Sequence, residues 1–409
     1  MEEAHEKDAR RAVERVARES YGRLVAYLSA RTRDVAAAED AMADALVAAL
    51  ATWPRDGVPR EPRAWLLTAA RRLLIDRARH EQVRKSVAAT IELVAEAARE
   101  AAESADPDER LKLLFVCAHP AIDPDVHTPL MLQAVLGMDA AKIARAFLVS
   151  PSAMSQRLVR AKAKIRDAGI AFEVPEAREL AARLDAVLSA IYAAYGSGWE
   201  DATGVDAKTR GLADEAIWLA RLLVLRMPEE AEAHGLLALM LYCEARRNAR
   251  RAGDGRFVPL SEQDPDSWDA AMIDDAEKHL AIAAGIGRSA RFQLEAAIQS
   301  AHVERARSGR ADWEAILWFH DRLVEISPAI GARVARAAAS GEARGAAAGL
   351  RLLDEIDAEA ASGYQPYWAL RAHLSRQAGR ADDARRALDR AIDLADDEAV
   401  RRFLADQRT

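Results

Sequence analysis

The sequence contains little cysteine and few aromatic residues. Cys117 and Cys243 are its only cysteines among 409 residues, and they form no Cys-x-x-Cys pair. A disulfide framework is therefore excluded, and two buried thiols in a reducing compartment are predicted. Aromatic residues make up 5% of the chain and apolar residues 51%, so the apolar content is mostly Ala, Leu, Val and Ile. This composition favours closely packed helices.

Long apolar segments are also lacking. The longest unbroken apolar run extends from Leu236 to Cys243, which is far too short to cross a bilayer. The charged N-terminal stretch contains no apolar signal core. We therefore expect a soluble, cytoplasmic protein that does not associate with a membrane.

Neither sign of charge dominates the chain, which has 58 basic and 65 acidic residues and a net charge of -7. The two parts of the chain differ in charge: residues 1–174 contain 27 basic and 26 acidic residues, and the remainder contains 31 and 39. This balance excludes a disordered chain and a general nucleic-acid-binding coat. The uneven division indicates that the two parts have different roles.

Apolar residues recur at helical spacing and no segment alternates like a strand, so the predicted fold class is all-α. Changes in composition, and proline and glycine residues that interrupt helices, divide the chain into four parts. These are a first helical domain, a linker, a second helical domain and a helical-repeat region. Their predicted bounds are 1–85, 86–107, 108–174 and 175–409. Helices in the two small domains are predicted near 8–30, 34–52, 62–80, 108–117, 128–136, 140–146 and 151–168.

Local cap signals are readable in the second domain. Thr128, Asp139 and Ser150 each offer a side-chain oxygen that accepts an N–H of a first helical turn, and each is predicted to begin a helix. Gly169 is predicted to end the last of these helices.

The region 175–409 has weak self-similarity at the period of tetratricopeptide repeats, which are helix pairs of about 34 residues. Windows at 216–241, 312–328 and 368–391 carry the pattern, and the last is the fullest match. Stacked helix pairs bury a continuous core that no single pair buries alone. A curved, acidic helical array is predicted.

The most specific motif is a helix-turn-helix at 138–166. Ile143, Met154 and Leu158 belong to an apolar face that packs two helices across a short turn. Seven Lys and Arg and no acidic residue lie between Lys142 and Arg166, so the second helix is able to meet base edges and phosphates together. Its candidate DNA-binding residues are Ser152, Ser155, Gln156, Arg157, Arg160 and Lys164.

The domain that contains this motif is only weakly basic. Residues 108–170 include nine basic and six acidic residues. Because phosphate attraction scales with the number of phosphates neutralised, such a domain binds duplex DNA poorly by itself at physiological salt. A partner is expected to supply the missing affinity.

Aromatic and arginine residues interleave from the end of the second predicted helix into the third. Rings and guanidinium planes stack on unpaired bases while the positive charge follows the backbone. The candidate residues are Trp53, Arg55, Arg60, Arg63, Arg71 and Arg72. The alternative is that Trp53 and Trp65 anchor a core beside a solvated arginine face.

The second predicted helix carries Glu39, Asp40 and Asp44. Their carboxylates are candidates for binding a basic partner. Most acidic runs of this kind are simply hydrated, so the pattern alone is weak.

No motif of an enzyme is present: the chain has no P-loop, dinucleotide-binding glycine fingerprint, HExxH or GxSxG sequence. Cys117, His119, Asp123, Asp125 and His127 lie close in sequence, but their spacing fits no closed zinc site and the prolines among them indicate a turn. We expect no catalytic activity, no cofactor and no metal.

Taken together, these features resemble the extracytoplasmic-function sigma factors of bacterial RNA polymerase, a branch of the sigma-70 family, and specifically the subgroup with a tetratricopeptide-like C-terminal extension. Residues 38–46 are similar to the helix that grips the polymerase clamp, and 62–79 to the promoter-melting helix. Residues 114–121 and the helix-turn-helix resemble the domain that reads the upstream promoter element. The segments that resemble the extension are 262–269, 294–298 and 312–316.

The resemblance implies two sigma domains and a helical-repeat domain, with core RNA polymerase and promoter DNA as partners. It further implies that the acidic residues bind polymerase, that the helix-turn-helix contacts the upstream element, and that the loop from Trp53 to Pro62 holds a flipped base. A regulatory protein partner is expected for the C-terminal domain. The family usually has Gln where Ala43 stands and an aromatic residue where His320 stands.

Two other functions are compatible with parts of the pattern. The first is an autonomous helix-turn-helix regulator whose repeat domain senses a ligand or peptide; it predicts tight DNA binding by the isolated chain. The second is a zinc-dependent enzyme on a helical scaffold, which predicts stoichiometric metal and loss of activity on substitution of His119.

Overall fold

The computed structural model describes residues 2–82, 109–147, 149–199, 207–287 and 289–408. In these ranges the regular structure is helical, and the β-type pairing is limited to an isolated bridge between Arg251 and Phe257. The predicted all-α class is confirmed. The predicted linker at 86–107 lies outside the described residues.

Two compact units divide the chain. The first extends to Gly198 and also includes Ala207–Leu219, and the second includes Ala220–Thr409. The first unit therefore contains both predicted small domains together with the beginning of the predicted repeat region. The domain boundary at 174/175 stays a prediction.

The first domain consists of α1 (Glu2–Thr32), α2 (Val35–Asp56) and α3 (Pro62–Gln82). The three helices share one apolar core, which includes Val25, Met42, Trp53 and Leu66. The Asp34 carboxylate accepts the Ala37 N–H at 3.0 Å and so begins α2.

Helix α2 is longer than the predicted helix 34–52. It includes Pro54 and ends at Gly57, which has a φ of +84°. Burial of Trp53 in the core keeps the chain helical past the point where Pro54 favoured a loop, and the connection to α3 is limited to residues 57–61.

The second domain consists of α4 (Arg110–Cys117), α5 (Pro124–Ala134), α6 (Ala140–Ala146) and α7 (Pro151–Asp167). The predicted caps Asp139 and Ser150 are confirmed, because their side chains accept N–H groups of Ala141 and Ala153 at 2.8 and 3.2 Å. Gly169 follows α7 with a φ of +60°, as predicted for a helix end.

The predicted cap at Thr128 is wrong. Helix α5 begins one turn earlier, at Pro124, where the Asp123 side chain accepts the Asp125 N–H at 3.1 Å. Thr128 and Pro129 lie inside the helix. Both Asp123–Pro124 and Thr128–Pro129 have the sequence of a cap followed by proline, and the earlier pair is the one used.

Helices α8 (Ala177–Trp199) and α9 (Ala207–Arg226) follow. Within the first unit, Glu215 of α9 forms an ion pair with Arg110, whose guanidinium carbon lies 3.9 Å from the ring centroid of Trp218. The middle of α9 is therefore attached to the second domain through a buried arginine.

The second unit is a succession of helices that contact their neighbours in chain order. Their bounds are α10 (Ala231–Ala245), α11 (Ala270–Ile286), α12 (Arg291–Ser308), α13 (Trp313–Ile326), α14 (Ile330–Arg344), α15 (Ala346–Asp354), α16 (Ala358–Ser362), α17 (Gln365–Gln377), α18 (Ala381–Asp393) and α19 (Glu398–Asp406). Residues 368–391, the fullest repeat window, correspond to most of the α17–α18 hairpin, whose turn includes Gly379 with a φ of +72°. The assignment of these helices to tetratricopeptide-like repeats stays a prediction.

Small residues set the close helix crossings in this unit. A Cβ at Gly349 would lie 2.7 Å from the Ala337 carbonyl oxygen and 3.1 Å from the Gly341 Cα, so α14 and α15 approach at backbone distance. Within the described ranges, no helix combines the length and apolar content needed to span a bilayer.

Candidate nucleic-acid and protein interfaces

Helices α6 and α7 form the predicted helix-turn-helix. Ile143 and Ala144 of α6 and Met154, Leu158 and Ile165 of α7 are buried at their contact. Leu148, which belongs to the predicted turn, lies outside the described residues. The buried face fixes the orientation of α7, so its polar residues project from the opposite face.

The candidate DNA-binding residues lie along this exposed face of α7. Ser152, Ser155, Gln156, Arg160 and Lys164 are exposed. Arg157 is half-buried at the edge of the face. Hydroxyl, amide and guanidinium groups are thus presented within three turns, which is the chemistry that reads base edges and holds phosphates.

Val159 is a member of this face that the sequence reasoning missed. Its side chain is 66% exposed between Ser155 and Arg160. An apolar group among base-reading residues suits contact with a thymine methyl group. Apolar residues normally face the core on a helix of this kind. The exposure of Val159 is therefore apparent only from the structure.

The structure corrects the prediction for Trp53. Its side chain is 2% exposed and belongs to the core of the first domain, where its ring meets that of Trp65 edge-on at 5.6 Å and 73°. A ring in this position cannot stack on a base. The alternative reading of Trp53 as a core anchor is the one that the structure supports, and Trp65 is half-buried beside it.

The arginines of this region divide into two groups. Arg55, Arg60 and Arg63 are exposed around the short α2–α3 connection, and Arg72 is exposed on α3. Arg71 instead points toward Tyr27: its guanidinium donates a hydrogen bond to the phenol oxygen and lies 4.9 Å from the ring centroid. The exposed arginines form a positive rim at the connection, and Arg71 holds α3 against α1.

Asp40 and Asp44 lie on the exposed face of α2, with side chains 70% and 51% exposed. Arg77 of α3 spans the two carboxylates, at 3.4 Å from Asp40 and 2.7 Å from Asp44. Exposed pairs of this kind contribute little to stability, so both carboxylates are available to a basic partner.

Two apolar residues extend this acidic face and were missed by the sequence reasoning. Val47 and Leu50 of α2 are 65% and 43% exposed, one and two turns beyond Asp44. They share the helical face of Asp40 and Asp44, because residues three and four apart are neighbours on a helix. An acidic face with an exposed apolar end is typical of a protein-binding surface.

Glu39 differs from the other two acidic candidates. Its carboxylate is 13% exposed and forms an ion pair with Lys162 of α7, which is 9% exposed. Burial raises the pKa of Glu39 above its usual value, although Lys162 acts in the opposite direction. The structure therefore brings together one predicted polymerase-binding residue and the helix that carries the predicted DNA-binding residues.

The Cys117–His127 segment forms the turn between α4 and α5. The His119 ring accepts the Ala121 N–H at 3.1 Å, and the His127 ring hydrogen-bonds the Ile122 carbonyl at 3.1 Å. Cys117 is fully buried, and burial raises the pKa of its thiol. Among the described residues, no three His, Cys, Asp or Glu side chains converge in a way that could hold a metal ion.

Comparisons with known proteins match two parts of the chain. Residues 16–84 match the family of sigma-70 region 2, and residues 183–284 match a family of unknown function, DUF6596. The chain is 38% identical over 384 residues to the uncharacterized protein R00370 of Rhizobium meliloti (strain 1021), an alignment that covers 92% of this chain and 89% of that protein. No solved structure matches the chain.

Proposed function

The chain belongs to the family that includes R00370 of Rhizobium meliloti and carries a sigma-70 region 2 domain. From this premise we propose that it is a sigma factor, which binds core RNA polymerase and directs transcription from specific promoters. The observation that carries the proposal is the acidic and apolar face of α2, which lies inside the sigma-70 region 2 match. No catalysis by this chain is part of the proposal.

In the proposed mechanism each exposed surface has one task. Asp40 and Asp44 dock on the polymerase, and Val47 and Leu50 add apolar contact. The α7 face enters the major groove of the upstream element, where Gln156 and Arg160 meet base edges and Lys164 meets a phosphate. The arginine rim at residues 55–63 and the accessible edge of Trp65 hold the melted downstream strand.

The weak positive charge of the second domain fits a subunit that is delivered to DNA by a larger machine. Nine basic against six acidic residues over 108–170 provide little phosphate attraction. Core polymerase supplies the remaining affinity, and the sigma domains supply discrimination. The acidic helical domain, by this proposal, modulates activity through a regulatory protein partner.

The proposal is tested by mixing purified full-length chain with core RNA polymerase and measuring association and run-off transcription. We expect a stable complex and initiation at defined sites near the gene for this protein. Tight, specific promoter binding by the chain alone, unchanged on addition of polymerase, would instead favour the autonomous regulator.

The double substitution Asp40→Lys/Asp44→Lys is expected to weaken polymerase binding by about tenfold or more, because like charges facing one another across an interface cost several kcal/mol. Folding should be little affected, since the pairs with Arg77 are exposed. Glu14→Lys, a charge reversal at an exposed position of α1, is the matched control. Equal affinities of the double variant and the control would show that this face is not the docking surface.

The substitution Arg160→Ala is expected to lower discrimination between the cognate and a scrambled upstream element by about tenfold, since a base-reading arginine contributes about 1–3 kcal/mol. Polymerase binding without DNA should be unchanged. Initiation from the two templates by the reconstituted holoenzyme measures the effect, and Arg11→Ala on α1 serves as control. A uniform loss on both templates would assign Arg160 to phosphate contact.

A further inference from the structure

The ion pair between Glu39 and Lys162 joins the two small domains of the first unit. Glu39 lies on α2, and Lys162 lies on α7 in line with Ser155 and Val159, where the exposed face of the helix meets the buried one. The second carboxylate oxygen of Glu39 is buried and has no hydrogen-bond partner in the described part of the chain. One of the three acidic candidates for polymerase docking is thus covered by the helix-turn-helix.

A second contact joins the same two helices. The Arg166 guanidinium of α7 lies 3.8 Å from the Asp34 carboxylate, which also caps α2. Successive cations of α7, one helical turn apart, therefore face successive carboxylates at the start of α2. This register sets α7 beside the first turns of α2.

The contact between α1 and α5 is set at the level of the backbone. Gly22 lies in the interior of α1, where glycine costs about 1 kcal/mol relative to alanine. A Cβ at this position would lie 2.8 Å from the Val135 carbonyl carbon and still closer to its oxygen. Gly137, just after α5, faces the Tyr21 ring in the same way, with a Cβ distance of 2.9 Å to Cδ1.

Gly22 shows that the contact between the two domains is encoded in the sequence. Nothing inside α1 requires a glycine at position 22, because a helix interior is better served by alanine. The close approach of the Val135 carbonyl does require it. The closed arrangement of the two domains is therefore encoded by a residue whose only evident benefit is that arrangement.

We propose that the first unit is a closed, self-masked form in which Lys162 covers Glu39, one of the three acidic docking candidates, so that the two domains must separate before all three engage polymerase. This inference rests on the proposed function. The masked residue is a docking candidate of α2, whose neighbours Asp40 and Asp44 stay exposed, and the DNA-binding candidates of α7 also remain exposed in the closed form. The mask therefore acts on the assembly of the chain with polymerase.

The energetics of the pair suit a reversible mask. Removing both charged groups from water offsets much of their attraction, so a buried pair adds specificity to the closed form more than it adds stability. A basic surface on polymerase offers Glu39 an equivalent partner. Docking therefore exchanges one ion pair for another and releases Lys162 to solvent.

The experiment uses two variants that open the closed form by different routes. Gly22→Ala adds one methyl group against the Val135 carbonyl, without changing any charge and with a gain in helix propensity. Lys162→Met removes the cation and keeps most of the side-chain stem. The controls are Gly196→Ala, at a helical glycine with open space around it, and Arg145→Met, at an exposed position of α6.

Affinity of the full-length chain for labelled core polymerase is measured without DNA, and small-angle scattering of the free chain reports its dimensions. If about nine-tenths of the wild-type chain is closed, both variants should bind about tenfold more tightly than wild type. Both should also be more extended, and both controls should match wild type. Circular dichroism checks that helical content is retained.

The outcomes separate the inference from the proposed function. Equal affinity of wild type and both opened variants would overturn the mask and leave the sigma-factor proposal intact, as would weaker binding by both. If neither wild type nor any variant binds polymerase, although the opened variants are extended in scattering, the proposed function is overturned and the mask with it. Tighter binding by both variants, by unrelated chemical changes, would establish the mask.

Discussion

At pH 4 the helices around His302 and His320 are expected to be about 6 kcal/mol less stable than at neutral pH, because both rings are buried in the neutral form. Burial, with Arg305 nearby, lowers the pKa of His302 to about 4. Burial lowers the pKa of His320 to about 4 as well. The Nδ1 atoms of both rings have no hydrogen-bond partner in the described residues, so a proton there gains no acceptor.

The direction follows from proton uptake. A histidine in the unfolded chain has a pKa of about 6.5, so between pH 6.5 and 4 the unfolded chain binds protons that the folded unit does not. Stability is therefore fully present above about pH 6.5 and falls as the pH is lowered toward 4. Each ring contributes about 3 kcal/mol to this loss, and the total is comparable to the whole stability of many domains.

Hydrogen exchange of peptides from α12 and α13, measured from pH 7 to pH 4 in the full-length chain, reports the local stability after correction for intrinsic exchange rates. In the variant His302→Phe/His320→Phe the pH dependence should be much flatter, since neither ring titrates. The exposed His373→Phe is the matched control and should retain the wild-type slope. An unchanged slope in the double variant would assign the acid sensitivity to carboxylates instead.

The sequence was most informative where the physical cause is local. Asp139 and Ser150 cap their helices because the acceptor and the N–H groups belong to the same turn. Gly169 ends α7 for an equally local reason, its positive φ. The helix-turn-helix and the exposure of its polar candidates followed from the same short-range periodicity, whereas the exposed Val159 did not.

The errors have non-local causes. Pro54 suggested a loop, but the core position of Trp53, set by α1 and α3, keeps that segment helical. Glu39 and Asp40 are neighbours in one acidic run, and a single helical step separates a carboxylate buried by another domain from an exposed one. Residues 39 and 162 are too distant in sequence for any pattern to connect them.

The joint between α10 and α12 also depends on residues that are far apart in sequence. Its disruption is expected to have the second large effect on stability. Ala290, which precedes α12, provides no side-chain cap. Instead Glu232 of α10 accepts the N–H groups of Phe292 and Gln293 at 2.9 and 3.0 Å. The cap comes from 60 residues upstream, and no local signal could have identified it.

Gly235 completes this joint, one turn after Glu232. A Cβ at this position would lie 2.6 Å from the Gln293 nitrogen, so glycine allows α10 to approach the first turn of α12. The carboxylate then reaches two N–H groups at the positive end of the helix. Since Glu232 lies inside the 183–284 family match and α12 lies beyond it, this contact ties the matched region to the helices that follow.

The substitution Glu232→Ala is expected to destabilise the second unit by about 3 kcal/mol, because each hydrogen bond to a charged group contributes about 1.5–3 kcal/mol and their effects overlap. Glu232→Gln keeps one acceptor oxygen and should lose about half as much, whereas Glu229→Ala, at an exposed position before α10, should stay within about 0.5 kcal/mol of wild type. Urea unfolding at pH 7 measures the series. Equal midpoints for Glu232→Ala and Glu229→Ala would contradict the capping role, and the joint would then depend on the glycine contact alone.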